Sequence, residues 1–433
     1  MIELTNPRRF GGLGEEYVPL AMNELSACAR HLVNGWRLAW RFCIASQFLF
    51  CAPSNRAATS VYLTEVPDYE WHMGCFGTAT GNLMGYWDRH GFPSFYTGPT
   101  GYGVAPSNSF GANYGIRSLW ATQAGLDGRP DDEPGHVDDY FKVYMSTESD
   151  PYLSAGRPEH DPDCLGDFIG LNQRKWKNLN GECDGNIDGY SFVYWDSYGG
   201  RRVNFTPGPD AGLPALDIQS GLRRWTTSRG RKADVFTQLS DFNPETLPGR
   251  GFSFEDMRAE IDAGYPVLLF LQEFGVKSRL IQDMQRANPL IHGMVAYGYK
   301  IQDDGSQFVR FRSSFAGGDN EFASWTSAGW WGPMLPLRGV IGYHPLPQIT
   351  EVREVEGNLV IRWDGPDSEL FDVATGTTKK LHWYVVEKAS SLTDADFKPV
   401  APPTAEHMLT VSIKDPYPVY FRLKLLPLSE GDE

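Results

Sequence analysis

The chain has 433 residues, which is enough for two or three domains with sizeable cores. Aromatic residues make up 13% of it, and this content argues for a folded globular protein over a disordered one. The formal net charge is -15 at pH 7, so polyanions such as nucleic acids are poor partners. That charge suits an exported protein and a soluble intracellular one equally well.

The first part of the chain predicts a secretory signal. Arginines precede the apolar run FCIASQFLFCAP, residues 42–53, and small residues at Ala58 and Ser60 suit cleavage after Ser60. The run is too short to span a bilayer, which needs about 20 residues. We therefore assign residues 1–60 to a signal region, with Met22 as an alternative start, and expect a secreted or periplasmic protein without a transmembrane anchor. A buried N-terminal helix is the alternative.

Cys75 lies at the start of a predicted helix. In YEWHMGCFGTATGNLMGYWDRHG, residues 69–91, apolar residues recur at three- and four-residue spacing after the cysteine, and His90-Gly91 provides a C-terminal stop. The N–H groups and the macrodipole at a helix N-terminus favour a thiolate over a thiol. The position therefore suits a reactive cysteine, with a packed core thiol, a disulfide partner and a metal ligand as alternatives.

Two further cysteines predict a disulfide. Once the signal is removed, the chain keeps Cys75, Cys164 and Cys183, and an odd number leaves one thiol over in an oxidising compartment. Cys164 and Cys183 lie in one loop-rich region and would close a ring of about 20 residues, which stabilises by roughly 3 kcal/mol. Cys75 would then be the free thiol.

A nucleophilic cysteine needs a base on a rigid element, and His292 begins a predicted hairpin. IHGMVAYGY, residues 291–299, alternates as a strand does, Asp304-Gly305 forms a turn, and FVRFRSS, residues 308–314, returns as the partner. Just upstream, FSFEDMRAEIDAGYPVLLFLQ predicts a helix with a capping box, a glycine stop and a buried strand. Helix, strand and hairpin together predict an α+β unit.

These segments resemble bacterial papain-like cysteine peptidases, in the branch of the bacteriocin-processing peptidases that act on double-glycine leaders. That group carries a cysteine at the start of a helix, a Gly-x-Pro-Val strand and a His-bearing strand that ends in Gly-Tyr. The counterparts here are WHMGCFGTATGNLMGYWDRHG, AGYPVLLFL and HGMVAYGY, within about residues 66–90 and 252–315. The resemblance implies a papain-like fold, with Cys75 as nucleophile and His292 as base.

The chain departs from the family pattern around the cysteine. Phe76 and Gly77 stand where the family more often has Gly-Pro or a small residue with Pro. Tyr69 stands six residues before the cysteine, where the family carries the glutamine of its oxyanion hole. The hydroxyl of Tyr69, the indole of Trp71 and the backbone N–H of Cys75 are the candidate donors.

The group that orients the base should come from the returning strand. The family's Asp or Asn aligns with Ser313, and folding the hairpin about its predicted turn pairs His292 with residue 317. The orienting group is therefore expected in a window bounded by Ser313 and Asp319. A hydroxyl can hold an imidazole tautomer, but it stabilises an imidazolium less than a carboxylate does.

The segment from about 92 to 250 is longer than a minimal papain-like core needs, so we expect a large insertion, either a lid over the cleft or padding that completes the core. Within it Asp184, Asn186 and Asp188 copy the first half of a calcium loop, although Trp195 stands where a bidentate Glu belongs. A structural calcium ion and an ordinary Asp/Asn/Gly turn are the two interpretations. No other cofactor is expected.

The chain after the Pro-containing boundary HPLPQ predicts a small all-β sandwich over residues 350–433. Strand-like runs alternate there with polar turns, and the segment resembles a fibronectin type III-like module. Contact with a cell surface or matrix is a candidate role.

The predicted architecture is thus an α+β papain-like peptidase domain over residues 61–345, followed by the sandwich. The predicted function is that of an exported cysteine peptidase or amide-bond hydrolase, which acts on a peptide or protein through a Cys-His dyad or triad. The alternative is a papain-like fold that has lost turnover and binds peptides or glycans outside the cell, and the missing glutamine favours it.

Overall fold

The structure is a computed structural model, and its described residues belong to one compact unit, Arg56–Glu433. The described residues are 58–69, 74–93, 95, 104–105, 107, 165–169, 193–206, 217–272, 291–315, 322–326, 335–390, 397–412 and 419–426.

The described part of the chain is strand-rich and includes a few helices, which confirms the α+β class at a coarse level. The helices are α1 (Gly74–Arg89), α2 (Leu165–Ile169), α3 (Ile218–Ser228) and α4 (Phe254–Asp262). The strands up to the predicted boundary are β1 (Thr59–Leu63), β2 (Arg202–Val203), β3 (Ala233–Leu239), β4 (Val267–Gln272), β5 (Ile291–Ile301), β6 (Gln307–Arg312), β7 (Phe322–Ser324) and β8 (Leu337–Pro345). Those after it are β9 (Gln348–Val355), β10 (Asn358–Asp364), β11 (Glu369–Asp372), β12 (Thr377–Lys380), β13 (Trp383–Ala389), β14 (Lys398–Pro399), β15 (Met408–Ser412) and β16 (Tyr420–Leu426).

One large antiparallel sheet forms the centre of the fold. Its strands follow the order β12-β11-β1-β5-β4-β8-β3-β2, and β6 pairs with both β5 and β7. Strands β5 and β4, which carry His292 and the predicted buried run, lie in the middle of this order, and His292 pairs with Leu271 of β4. A side chain on β5 is therefore held on a rigid backbone.

Helix α1 packs across this sheet with its N-terminus toward the end of β4. The ring of Phe76 lies 4.6 Å from that of Phe270, measured between centroids, and the hydroxyl of Tyr86 donates to the carbonyl of Gly264, just before β4, at 3.3 Å. Phe76 and Tyr86 are completely buried, and each such side chain contributes about 1.5–3 kcal/mol of hydrophobic stabilisation. This apolar face anchors the helix that carries Cys75.

The capping box predicted for the helix before β4 is confirmed. The side chain of Ser253 accepts the N–H of Asp256 at 3.2 Å, and the carboxylate of Asp256 accepts the N–H of Ser253 at 2.8 Å. Two N–H groups at the start of α4 are satisfied in this way.

The hairpin forms as predicted, but the predicted pairing of His292 with residue 317 is wrong. Ile301 pairs with Gln307, so the turn is centred on Asp304, and a register shift between Ala296 and Gly298 adds one residue to β5. Beyond this bulge Val295 pairs with Arg312. Extending that register places His292 opposite Phe315.

Part of the expected insertion belongs to the large sheet itself. Strand β3 pairs with β8 along its whole length, α3 packs on β3, and β2 pairs with β3 at the edge. In its described residues, the segment from 92 to 250 therefore helps to complete the core.

The C-terminal residues form two further three-stranded sheets, β15-β10-β9 and β14-β13-β16. Their separate core contains Ile361, Trp363, Tyr384 and Val386. The hairpin of β11 and β12 lies between these strands in sequence, yet it pairs with β1 in the large sheet, where Leu63 faces Leu370. The strands of residues 350–433 are thus divided between the large sheet and the two smaller sheets.

Strand β1 begins before the predicted cleavage point. Thr59 and Ser60 pair with Ile301 and Lys300, so cleavage after Ser60 would remove the first two residues of the strand. Residues 1–57, which hold most of the predicted signal region, lie outside the described residues. Among the helices that the structure describes, none is long and apolar enough to cross a membrane.

Candidate active site

Cys75 is the second residue of α1, as the sequence predicts, and its side chain is 1% exposed. The sulfur lies among the main-chain N–H groups of Cys75, Phe76 and Gly293, which favour a thiolate. Burial outweighs these dipoles and raises the pKa of the Cys75 thiol from its ordinary 9.0 to about 12. The expected thiolate is therefore wrong for this conformation. Moving the thiolate charge out of water costs more free energy than the three hydrogen bonds from N–H groups supply.

His292 is held at the start of β5 by a main-chain carbonyl. Its Nε2 lies 2.7 Å from the carbonyl oxygen of Ser313. Burial lowers the pKa of the His292 imidazole to about 4, although the Ser313 carbonyl acts in the opposite direction. The imidazole is thus neutral near pH 7.

Ser313, at one end of the window predicted for the orienting group, contacts His292 through its main chain. Its carbonyl, and not its hydroxyl, meets the imidazole, while the hydroxyl donates to the carbonyl of Phe315 at 3.2 Å. The ring of Phe315 stacks on the imidazole, with centroids 5.5 Å apart and planes inclined by 10°. Asp319, the other candidate for this role, lies outside the described residues.

Ser314 also contacts the residues of the candidate site, although its position in the sequence does not predict this. It is completely buried, and its hydroxyl lies 3.0 Å from the carbonyl oxygen of Cys75 and 2.8 Å from that of Gly293. The signal available in the sequence was a second serine beside Ser313, at the end of an alternating strand.

The structure brings these residues to one place. The Gly293 N–H faces the Cys75 sulfur, and Gly293 directly follows His292 on β5. A Cβ atom on Gly293 would come 2.6 Å from the ring of Phe76, so only glycine lets the strand approach the first turn of α1 this closely. Cys75 and His292, the predicted nucleophile and base, therefore both lie next to this glycine, Cys75 in space and His292 in the chain.

Tyr69 does not join this group, so its proposed oxyanion role is wrong. A Cβ atom on Gly85 would lie 2.3 Å from the Tyr69 hydroxyl, which places that hydroxyl beside Gly85. Gly85 is ten residues after Cys75 on the same helix, or about 15 Å along its axis. Trp71, the other side-chain candidate, lies outside the described residues.

The predicted calcium ligands Asp184, Asn186 and Asp188 lie outside the described residues, as do both partners of the predicted disulfide, Cys164 and Cys183. Cys75 is a free cysteine. Within the described ranges, no group of three or more His, Cys, Asp or Glu side chains is placed to hold a metal ion.

Comparisons of the chain with protein-family models, with curated proteins and with solved structures found no match.

Proposed function

We propose that this protein is an exported cysteine peptidase, or amide-bond hydrolase, with a papain-like fold. The observation that carries the proposal is the arrangement at Gly293, where the Cys75 sulfur at the start of a helix meets the strand residue that follows His292. Acyl transfer needs a nucleophile, a base close to it and a group that orients the base. Cys75, His292 and Ser313 are the candidates for these three parts.

The Ser313 carbonyl decides which nitrogen of His292 can act as the base. A carbonyl oxygen only accepts hydrogen bonds, so the Nε2 atom that it contacts carries the proton of the neutral ring. The lone pair is then on Nδ1. Because neither partner is charged at rest, His292 works as a general base during attack and not as one half of a preformed ion pair.

The proposed reaction begins when the Cys75 sulfur bonds to the substrate carbonyl carbon and Nδ1 of His292 takes the thiol proton. The carbonyl electron pair moves to oxygen, where the Cys75 N–H is a candidate donor. The imidazolium then protonates the amide nitrogen as the C–N bond breaks, which releases an amine and leaves a thioester. Water, deprotonated by the same Nδ1, hydrolyses the thioester and restores the thiol.

The remaining parts of the proposal concern the setting of this reaction. An N-terminal signal would direct the protein to a secreted or periplasmic location, where peptides or proteins are the substrates. The C-terminal strands would form the fibronectin type III-like module, and contact with a cell surface or matrix is its proposed role. The acidic net charge of -15 agrees with partners other than nucleic acids.

A second candidate function is binding without turnover, and the burial of the site favours it. Cys75 is 1% exposed and His292 5% exposed, so a substrate must gain access to the sulfur before it can react. In that case the papain-like cleft and the C-terminal strands would bind peptides or glycans outside the cell.

Digestion of a peptide library tests the proposal. The full-length chain should generate new peptide ends, and Cys75→Ala should generate none while keeping the same melting temperature within a few degrees. A Cys75→Ala protein that digests the library as fast as the unmodified chain would refute the nucleophile. Retention of intact peptides by both proteins, with no new ends, would favour the binding function.

A further inference from the structure

We propose that Ser314 is a positioning residue of the candidate active site, and that its hydroxyl fixes the spacing between α1 and β5. The inference rests on the proposed function of that site. Ser314 does not touch the reacting atoms, so its effect would pass through Cys75 and His292.

The hydroxyl of Ser314 bridges the two elements that carry the nucleophile and the base. Its single proton is shared between the Cys75 carbonyl at 3.0 Å and the Gly293 carbonyl at 2.8 Å. Cys75 carries the sulfur, and Gly293 offers its N–H to that sulfur and follows His292 in the chain. One buried side chain therefore joins the first turn of α1 to the strand of the base.

The backbone of Ser314 supports a specific role for this side chain. Its φ is 69°, in the left-handed region, where a residue other than glycine is strained by about 1–2 kcal/mol. Among the described residues other than glycine, Glu65, Asn204 and Glu356 share such a φ, but Glu65 and Glu356 are exposed and Asn204 is half-buried, whereas Ser314 is completely buried. Glycine would fit this backbone better, so the hydroxyl is present at a cost in stability.

The left-handed turn at Ser314 also allows both of its neighbours in the chain to contact His292. The carbonyl of Ser313 reaches Nε2 of His292, and the ring of Phe315 stacks on the same imidazole. Side chains of successive residues in an extended strand point to opposite faces. The turn at Ser314 interrupts that alternation, and three consecutive residues then hold Cys75 and His292 together.

Substitutions at Ser314 can separate the effect of the hydroxyl from the effect of the backbone strain. Ser314→Gly removes the hydroxyl and relieves the backbone strain, so its melting temperature should stay near that of the unmodified chain. Ser314→Thr keeps the hydroxyl but adds a β-branch in the left-handed region, so its melting temperature should fall. Ser314→Ala lacks the hydroxyl and keeps the strain, and it replaces the threonine variant in the comparison if the latter does not fold.

Turnover distinguishes positioning from a purely structural role. If Ser314 positions the site, Ser314→Gly should lose at least about tenfold in kcat with KM changed by less than about twofold, although it remains stable. Ser314→Thr should keep most of its kcat although it is less stable, and Ser314→Ala should lose as much kcat as the glycine variant. If kcat instead follows the melting temperature across the three variants, the inference is overturned.

Alkylation of Cys75 by iodoacetamide gives a readout that does not depend on turnover. Loosening α1 from β5 would let water reach the sulfur, so the pH at which alkylation sets in should fall in Ser314→Gly and in Ser314→Ala but not in Ser314→Thr. The matched control is Glu356→Gly, which makes the same left-handed replacement at φ 51° in an exposed turn and should change neither readout.

The two proposals fail in different ways. A chain that cleaves no peptide refutes the proposed function, and alkylation alone then decides the role of Ser314. If Ser314→Gly leaves the alkylation profile unchanged, and also kcat where the chain has turnover, the positioning role is overturned. This holds even if the unmodified chain is a peptidase.

Discussion

The Nε2 atom of His292 and the carbonyl oxygen of Ser313 lie 2.7 Å apart, and this contact assigns the proton of the neutral imidazole to Nε2. A carbonyl carries no full charge, so it orients the ring but stabilises an imidazolium less than a carboxylate would. An imidazolium at this position would therefore be stabilised less than one beside a carboxylate.

The first prediction concerns the base. His292→Gln should abolish hydrolysis of a peptide library, because the amide cannot accept the thiol proton and later return it. The double variant with Cys75→Ala should be little worse than either single one, since the two residues act as a unit. Initial rates of peptide release measure this. If His292→Gln retained turnover, another group would have to be the base.

The second prediction concerns the charge of the resting thiol. Because burial raises the pKa of Cys75 to about 12 and lowers that of His292 to about 4, the pair is uncharged between these values. Alkylation of Cys75 by iodoacetamide should therefore be slow at pH 6 and rise only in strongly alkaline solution. The rate measured by mass spectrometry from pH 5 to 10, with Cys75→Ala as the blank, checks this. Rapid labelling near pH 6 would show a preformed ion pair.

The local parts of this site could be predicted from the sequence, whereas its long-range contacts could not. Apolar spacing and the Asp304-Gly305 turn are local signals, and they located the helix of Cys75 and the hairpin of His292. The bulge between Ala296 and Gly298 has no comparable signal, and it moved the partner of His292 from residue 317 to Phe315. The burial of Cys75 depends on neighbours far away in the chain, so the helix dipole alone gave the wrong charge.

The partition of the C-terminal strands shows the same limit. Alternating residues predicted strands after the boundary, but no local pattern says which sheet a strand joins. The hairpin of β11 and β12 found its partner in β1, about 300 residues earlier in the chain, where the rings of Tyr62 and Phe371 lie 5.1 Å apart.

The third prediction concerns acid stability. In the folded chain the pKa values of His292 and His382 are both lowered from 6.5 to about 4 by burial. Below pH 6.5 these histidines bind a proton in the unfolded chain but stay neutral in the folded chain until the pH falls toward 4. Their contribution to the free energy of unfolding is therefore fully present above pH 6.5 and is lost across this window, by at most roughly 3 kcal/mol for each group. The free energy of unfolding, from urea denaturation at pH 7.0, 5.5 and 4.5, should decline across this window.

A single substitution isolates one of these histidines. Nδ1 of His382 accepts the N–H of Ser368 at 3.2 Å, so protonation of Nδ1 breaks that hydrogen bond. His382→Gln keeps an acceptor without a titratable group, and its free energy of unfolding should fall less between pH 7.0 and 4.5. Parallel curves for the two proteins would contradict the assignment to His382.

The fourth prediction concerns the C-terminal strands. A chain that ends at Leu346 loses β11, the hydrogen-bonded neighbour of β1, and with it the ion pair between Arg231 and Asp364. It also loses Leu381, which is buried in the core of the large sheet. Its melting temperature should therefore be clearly below that of the full-length chain. If circular dichroism gave the same midpoint for both, the hairpin would not contribute to the stability of the large sheet.

The last prediction concerns the close approach of β5 to α1. A Cβ atom on Gly293 would come 2.6 Å from the Phe76 ring, and that ring cannot move freely because it packs 4.6 Å from the ring of Phe270. Gly293→Ala should therefore lower the melting temperature and separate the strand from the Cys75 sulfur, so that alkylation begins at a lower pH. Overpacking of this kind typically costs about 1–3 kcal/mol.

A second substitution tests whether the clash is the cause. Phe76→Leu alone should destabilise by leaving a cavity against Phe270. In the double variant the smaller leucine makes room for the new methyl group, so the loss in free energy of unfolding should be less than the sum of the two single losses. Strict additivity in urea denaturation would show that Gly293 and Phe76 are not in contact, and the close approach that brings the Gly293 N–H to the Cys75 sulfur would then be wrong.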